Sequence, residues 1–206
     1  MDIYRHDDSF RDEGFGIIAG IDEAGRGPLA GPVVAAAVIL PPHIRIKGLR
    51  DSKKVPEKER THLFWELLIS ATAVGVGIVD NLEIDRINIL SATKSAMKQA
   101  VEDLAWSPDA LLVDAVTIPG ITFRQFPIIK GDAKSASVAA ASIIAKYVRD
   151  TLMLHYDILY PEYNFRRHKG YCTKAHLKMI ALLGPCPIHR KSFRPVMTEG
   201  LPFALS

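Results

Sequence analysis

The chain has 206 residues, with 26 lysines and arginines against 23 acids, 48% hydrophobic residues and only two cysteines. This composition fits one good-sized globular core and excludes a disulfide scaffold or a low-complexity chain. No apolar run approaches membrane-spanning length, and the start, Met-Asp-Ile-Tyr-Arg-His-Asp-Asp, has no apolar signal core, so no membrane association is expected. The formal charge of +3 permits a polyanionic partner without demanding one. Cys172 and Cys186 lie in unrelated contexts without metal spacing and read as reduced thiols of a cytoplasmic protein.

Residues 1–13 are charged and read as a disordered tail, leaving 14–206 as a single domain whose C-terminal segment, from about 161, is helical. A short β-branched apolar run bounded by glycines predicts a strand at about 16–21. It ends on two adjacent carboxylates, Asp22 and Glu23, and a Gly-Arg-Gly-Pro turn. A second strand is expected at about 32–40, closed by Pro41-Pro42. The link is too short for a parallel crossover, so this pair is antiparallel. Pro56 opens a helix to about Ser70, with Glu57 and Glu59 at its positive end. A glycine-rich strand follows at 73–79, and its glycines imply a closely packed neighbour. Apolar residues at helical spacing predict one helix over 84–105. Strands at 110–114 and 125–130, a long helix from about 136 to 160 and a short one at 174–183 complete the chain. Interleaved strands and helices define an α/β fold, a mixed sheet of about five strands with flanking helices.

The segment Gly25-Arg-Gly-Pro-Leu-Ala30 also fits the dinucleotide pattern G-x-G-x-x-A. That reading fails, because Asp22 and Glu23 would repel a pyrophosphate and Pro28 removes a backbone donor. A strand also follows where a helix N-terminus is needed. Adjacent acids at the end of a core strand have no structural reason to be there, and a divalent cation removes their repulsion. Asp114 ends a second apolar strand in the same way, and ligands gather at the carboxyl ends of strands in open α/β sheets. Asp132 and Asp150 are further candidates, 18 residues apart. Along one helix that separation is roughly 27 Å, so both cannot serve one cluster. Asp132, at the loop-to-helix junction, is chosen, although it also reads as a helix N-cap. Asp150 is expected to pair with Arg149 or Lys146. An all-oxygen set without His or Cys favours Mg²⁺ or Mn²⁺. Two cations on such a cluster are a device for hydrolysing a phosphodiester.

Six motifs, in order, carry a resemblance: Asp22-Glu-Ala-Gly-Arg-Gly-Pro28, Asp51-Ser-Lys-Lys54, Val113-Asp114, Lys130-Gly-Asp-Ala-Lys134, Ala139-Ala-Ala-Ser-Ile-Ile-Ala-Lys146 and His168-Lys-Gly-Tyr171. The chain resembles bacterial ribonuclease HII from about residue 16 to 196. The resemblance implies a ribonuclease H-like fold with a five-stranded mixed sheet and a C-terminal helical segment. It implies an endoribonuclease that cuts the RNA strand of RNA–DNA hybrids and incises 5′ of single ribonucleotides in duplex DNA. That cleavage uses two Mn²⁺ or Mg²⁺ ions and leaves 3′-hydroxyl and 5′-phosphate ends. It places the catalytic, metal-binding acids on Asp22, Glu23, Asp114 and Asp132. Substrate binding falls to Gly25, Arg26, Gly27, Lys53 and Tyr171, the Gly-Arg-Gly element meeting the 2′-hydroxyl, the group that marks RNA in a duplex. Backbone approach of this kind suits glycine. The family commonly has glycine after the tyrosine, where this chain has Cys172, so a left-handed backbone there would be strained. A monomer is expected, and nothing in the sequence supports a sliding-clamp contact. The basic run 166–169 suits a nucleic-acid backbone. His189, Arg190 and Arg194 are open between phosphate contact and packing, and Trp65 and Trp106 read as core.

Overall fold

The computed structural model describes residues 2–52 and 55–197. The Lys53 expectation and the tail after Met197 lie outside these residues. Helix α1 (Ile3–Asp12) is followed by strands β1 (Ile18–Ala24) and β2 (Val33–Ile39), helix α2 (Glu57–Ser70) and strand β3 (Ala73–Val79). Helices α3 (Asn81–Ile87) and α4 (Ile89–Glu102) precede strands β4 (Ala110–Asp114) and β5 (Arg124–Ile128). Helices α5 (Ala136–Leu159), α6 (Phe165–His168), α7 (Lys174–Leu183) and α8 (Arg194–Met197) complete the order. The strands form one sheet in the order β3-β2-β1-β4-β5. β1–β2 and β2–β3 are antiparallel, as the short link required, and β1–β4 and β4–β5 are parallel. Among the described residues no helix is long and apolar enough to cross a membrane.

Alternation along β2 divides the core. Val33, Ala35, Ala37 and Ile39 join Met97 and Ala100 of α4 on one face. Val34, Ala36 and Val38 meet Leu63 and Leu67 of α2 and Ile143 and Ile144 of α5 on the other. The glycines of β3 do admit a close neighbour: a Cβ at Gly75 or Gly77 would collide with the α4 backbone at Ala100 or Ala96. β1 makes the same concession to α5, because a Cβ at Gly20 would strike the backbone of Ser137 and Val138. That contact ties the first turn of α5 to the strand carrying Asp22 and Glu23.

Three expectations are corrected here. Residues expected as a disordered tail form α1, which Asp2 caps and which Asp7 docks. Asp7 is buried, and its Oδ2 accepts from the Ser137 backbone N–H at 2.8 Å and hydroxyl at 2.7 Å, at the N-terminus of α5. The single helix expected over 84–105 is two helices. Asn88 stands between them at φ 68, and its side chain caps α4 through the Ser91 N–H. Trp65 and Trp106 are 55% and 56% exposed and so are not core residues.

Candidate active site

β1 does not stop at the acids. Asp22 and Glu23 lie within it, opposite Ala36 and Ala35 of β2. Its pairing with β4 ends at Ile21 and Val113, so Asp22 and Asp114 occupy the next positions on adjacent parallel strands. Alternation sends Asp22 toward α5 and Glu23 toward α4. Asp22 is 4% exposed and accepts from the Glu23 N–H at 2.7 Å and from the Ser142 hydroxyl. Ser142 is itself hydrogen-bonded to Ser52 at 2.8 Å. Burial, then the neighbouring Glu23 and Asp114 charges, push the Asp22 carboxyl well above its ordinary range, and the Ser142 bond offsets this only in part. Asp114 Oδ1 accepts from the Gly131 N–H at 2.8 Å, joining β4 to the turn that carries Asp132. Ala115 and Lys130 flank these acids at φ 55 and 58, left-handed conformations that non-glycine residues adopt at a cost. Asp132 is buried in a 3₁₀ turn over 131–133, and Ser135 rather than Asp132 caps α5.

A cavity of about 520 Å³ is lined by Asp22, Glu23, Asp114, Ser52, Lys146 and Tyr171, with Gly25, Arg26 and Gly27 along one rim. Asp132 lies in an adjoining depression of about 470 Å³, which shares Asp114 with the first. The structure therefore brings three of the four predicted acids together and places the fourth one step away, across Asp114. Among the described residues no three His, Cys, Asp or Glu side chains form a ready-made metal cage. The donor set nonetheless fits a hard cation. Mg²⁺ is commonly held by one or two carboxylates, with substrate phosphates completing its shell, and a buried carboxylate among like charges is relieved by such an ion.

The residues expected to bind substrate sit on two interlocked loops. Arg26 is exposed and pairs with Glu23 at 3.2 Å. The Leu29 N–H donates to the Gly170 carbonyl at 2.8 Å, binding the 25–32 loop to the loop that carries Tyr171. Gly170 has φ +82, and a Cβ there would press on the Ala30 carbonyl. Tyr171 is 43% exposed, and its carbonyl is hydrogen-bonded to His176 Nδ1 at 2.9 Å. Lys146 Nζ lies 5.8 Å and Arg149 Cζ 5.9 Å from the centre of its ring. Cys172 is exposed and does not have positive φ, so the strain expected from the missing glycine does not arise.

Asp150 pairs with Lys146 at 2.6 Å, as expected, and with Arg60 at 2.9 Å rather than with Arg149. Burial lowers the Lys146 pKa, and Asp150 opposes that shift. The basic run is less uniform than its charge suggests. Arg166 is exposed and pairs with Asp157, while His168 is buried against the Tyr163 carbonyl. His189 packs as well, its Nε2 3.0 Å from that of His176, and burial holds both imidazoles down to about 4. Arg190, left open by the sequence, is fully buried beneath the 25–32 loop. No motif pointed to it, because a lone arginine in a basic tail gives no spacing signal. Arg194 lies in α8.

A family model described as Ribonuclease HII matches residues 19–196. The Ribonuclease HII of Clostridioides difficile (strain 630) is 57% identical over 182 residues, which is 88% of this chain and 71% of that protein. That of Geobacter metallireducens (strain ATCC 53774 / DSM 7210 / GS-15) is 54% identical over 189 residues, 92% and 89% of the two chains. The ribonuclease H2 from Pyrococcus horikoshii OT3 superposes with a TM-score of 0.74 at 27% identity, covering 89% of this chain and 96% of that one. A structure of Bst-RNase HIII in complex with Mn²⁺ shares the fold, with a TM-score of 0.70 at 20% identity over 91% of this chain and 70% of that one. With three carboxylates gathered at the end of a mixed five-stranded sheet and a family match spanning nearly all of it, the chain belongs to the ribonuclease HII family and is a metal-dependent ribonuclease of the ribonuclease H type.

Proposed function

We propose that this enzyme hydrolyses the RNA strand of RNA–DNA hybrids and also incises 5′ of a single ribonucleotide in duplex DNA, leaving 3′-hydroxyl and 5′-phosphate ends. The observation that carries this reading is the cavity that joins Asp22, Glu23 and Asp114 to the Gly25-Arg-Gly27 rim and Tyr171. One wall holds the acids of phosphodiester chemistry and the other presents backbone and an aromatic face.

Asp22, Glu23 and Asp114 would hold Mg²⁺ or Mn²⁺, with Asp132 contributing from the adjoining depression. When bound as a pair, such ions activate the attacking water and stabilise the leaving oxygen. The protein's own part is orientation. Ser142 and the Glu23 N–H fix the Asp22 carboxylate, and the Gly131 N–H fixes that of Asp114. Gly25, Arg26 and Gly27 meet the ribose 2′-hydroxyl and neighbouring phosphates, and Tyr171 packs on the sugar or base at the RNA–DNA junction. Lys146, beside Tyr171 in the same cavity, supplies positive charge toward the strand.

A panel of end-labelled RNA–DNA, DNA–DNA and RNA–RNA duplexes tests the substrate class. Cleavage confined to the RNA strand of the hybrid, and lost in EDTA, is expected. Equal cleavage of RNA–RNA duplex would overturn the assignment.

A further inference from the structure

The 25–32 loop is fastened from beneath by two buried guanidinium groups whose hydrogen bonds all go to carbonyls. Arg190 Nε donates to the Gly31 carbonyl at 3.0 Å, and its Nη2 donates to that of Gly25 at 2.6 Å. Arg190 Nη1 donates to the carbonyls of Arg26 at 3.0 Å and Pro28 at 2.7 Å. Arg149 likewise donates to Pro32, Ala30 and Lys169. Both side chains are 0% exposed. Burying a cation is expensive, and satisfying loop carbonyls alone does not call for a full charge. What the arrangement does fix is direction. Each peptide unit is planar, with its N–H opposite its C=O. Pinning the carbonyls of Gly25 and Arg26 toward Arg190 turns the N–H groups of Arg26 and Gly27 the other way, and both residues line the cavity. Neither N–H donates to any of the described residues. Two free amides over a buried positive charge form a concavity suited to an anionic or hydroxyl oxygen.

We propose that Arg190 is the positioning residue that sets ribonucleotide recognition, by holding the 25–28 carbonyls so that the Arg26 and Gly27 amides face the substrate. This inference rests on the substrate reading given above. Arg190 touches no acid of the cluster through a hydrogen bond, so it acts on binding rather than on the chemical step. The planar fork of five donors is what serves four carbonyls, and a lysine ammonium keeps the charge but cannot span them.

The test is Arg190→Lys against wild type, at a temperature where circular dichroism shows both folded, with steady-state kinetics on a duplex carrying one ribonucleotide. The expected result is a KM raised about tenfold or more with kcat within about threefold, the pattern of lost uniform binding. Unchanged KM, or a collapse of kcat alone, would overturn the proposal. A wild-type enzyme that leaves this duplex intact contradicts the substrate reading instead. If Arg190→Lys does not fold, or the wild type does not cut, ¹⁵N NMR of the wild-type chain in EDTA decides. Adding the same duplex should shift the Arg26 and Gly27 amides together with the Arg190 Nε–H. No shift at these three positions refutes the role.

Discussion

Asp22→Asn should make the protein more stable while removing its activity. Asp22 is almost completely buried beside Glu23 and Asp114, and its charge is opposed first by burial and then by those neighbours. Asparagine is nearly isosteric. Its carbonyl oxygen can keep the bond from the Glu23 N–H, and its amide can donate to the Ser142 hydroxyl, so no buried group is left bare. The gain is therefore the desolvation and repulsion removed with one charge, about 2 kcal/mol at an effective dielectric near 20. For a domain of this size that raises Tm by roughly 4–8 °C. The assay is calorimetry at pH 8 in EDTA, repeated with Mn²⁺. Wild type should gain stability on adding the cation, by about 2.7 kcal/mol at a hundredfold excess over Kd, and Asp22→Asn should gain much less. An Asp22→Asn protein that melts at or below the wild-type temperature in EDTA would refute the claim that this carboxylate is held at a cost for an ion.

Gly20→Ala should lower both stability and turnover, because its Cβ meets the α5 backbone at Ser137 and Val138 and only a shift of the helix relieves it. A cost of about 1–3 kcal/mol or more is expected in thermal melts, and a wild-type Tm would show that the contact is not tight. Tyr171→Ala should cut uniform hybrid but lose its preference for a single embedded ribonucleotide, read as the ratio of kcat/KM on the two substrates. An unchanged ratio removes Tyr171 from junction sensing. Acid should weaken the fold through His176 and His189. Their folded pKa values, about 4, lie below the ordinary 6.5, so the unfolded chain takes up protons first and stability falls as pH drops from about 6.5 to 4. Burial is the main cause, and the loss is on the order of 3 kcal/mol for each imidazole. Replacing either by asparagine should flatten that part of a urea-denaturation profile, and a profile already flat in wild type would contradict the cause.

The sequence disclosed those parts of the fold that follow from local pattern. The length of the link after Glu23 determined the antiparallel β1–β2 pair, and apolar runs ending at Asp22 and Asp114 marked both acids as strand-end residues, while only the tertiary pairing of β1 with β4 makes them neighbours. Asn88 was missed because apolar spacing continues across it, and only its left-handed backbone divides α3 from α4. The tail helix was missed because its anchor is tertiary: Asp7 is one acid in a polar run until Ser137, 130 positions away, meets it. Arg190 was unreadable for the same reason, since its partners are carbonyls, which every residue carries. Asp132 was placed at the right junction, but capping fell to Ser135, three residues on.

The most direct test is strand scission of a DNA duplex carrying one ribonucleotide, with Mg²⁺ or Mn²⁺, by wild type and Asp114→Asn side by side on a denaturing gel. Wild type should make one cut on the 5′ side of the ribonucleotide, with 3′-hydroxyl and 5′-phosphate ends, and none in EDTA. Asp114→Asn should shift the duplex on a native gel without cutting it. Near-normal cleavage by Asp114→Asn, or wild-type cleavage that persists without a divalent cation, would contradict a metal-dependent site built on Asp114.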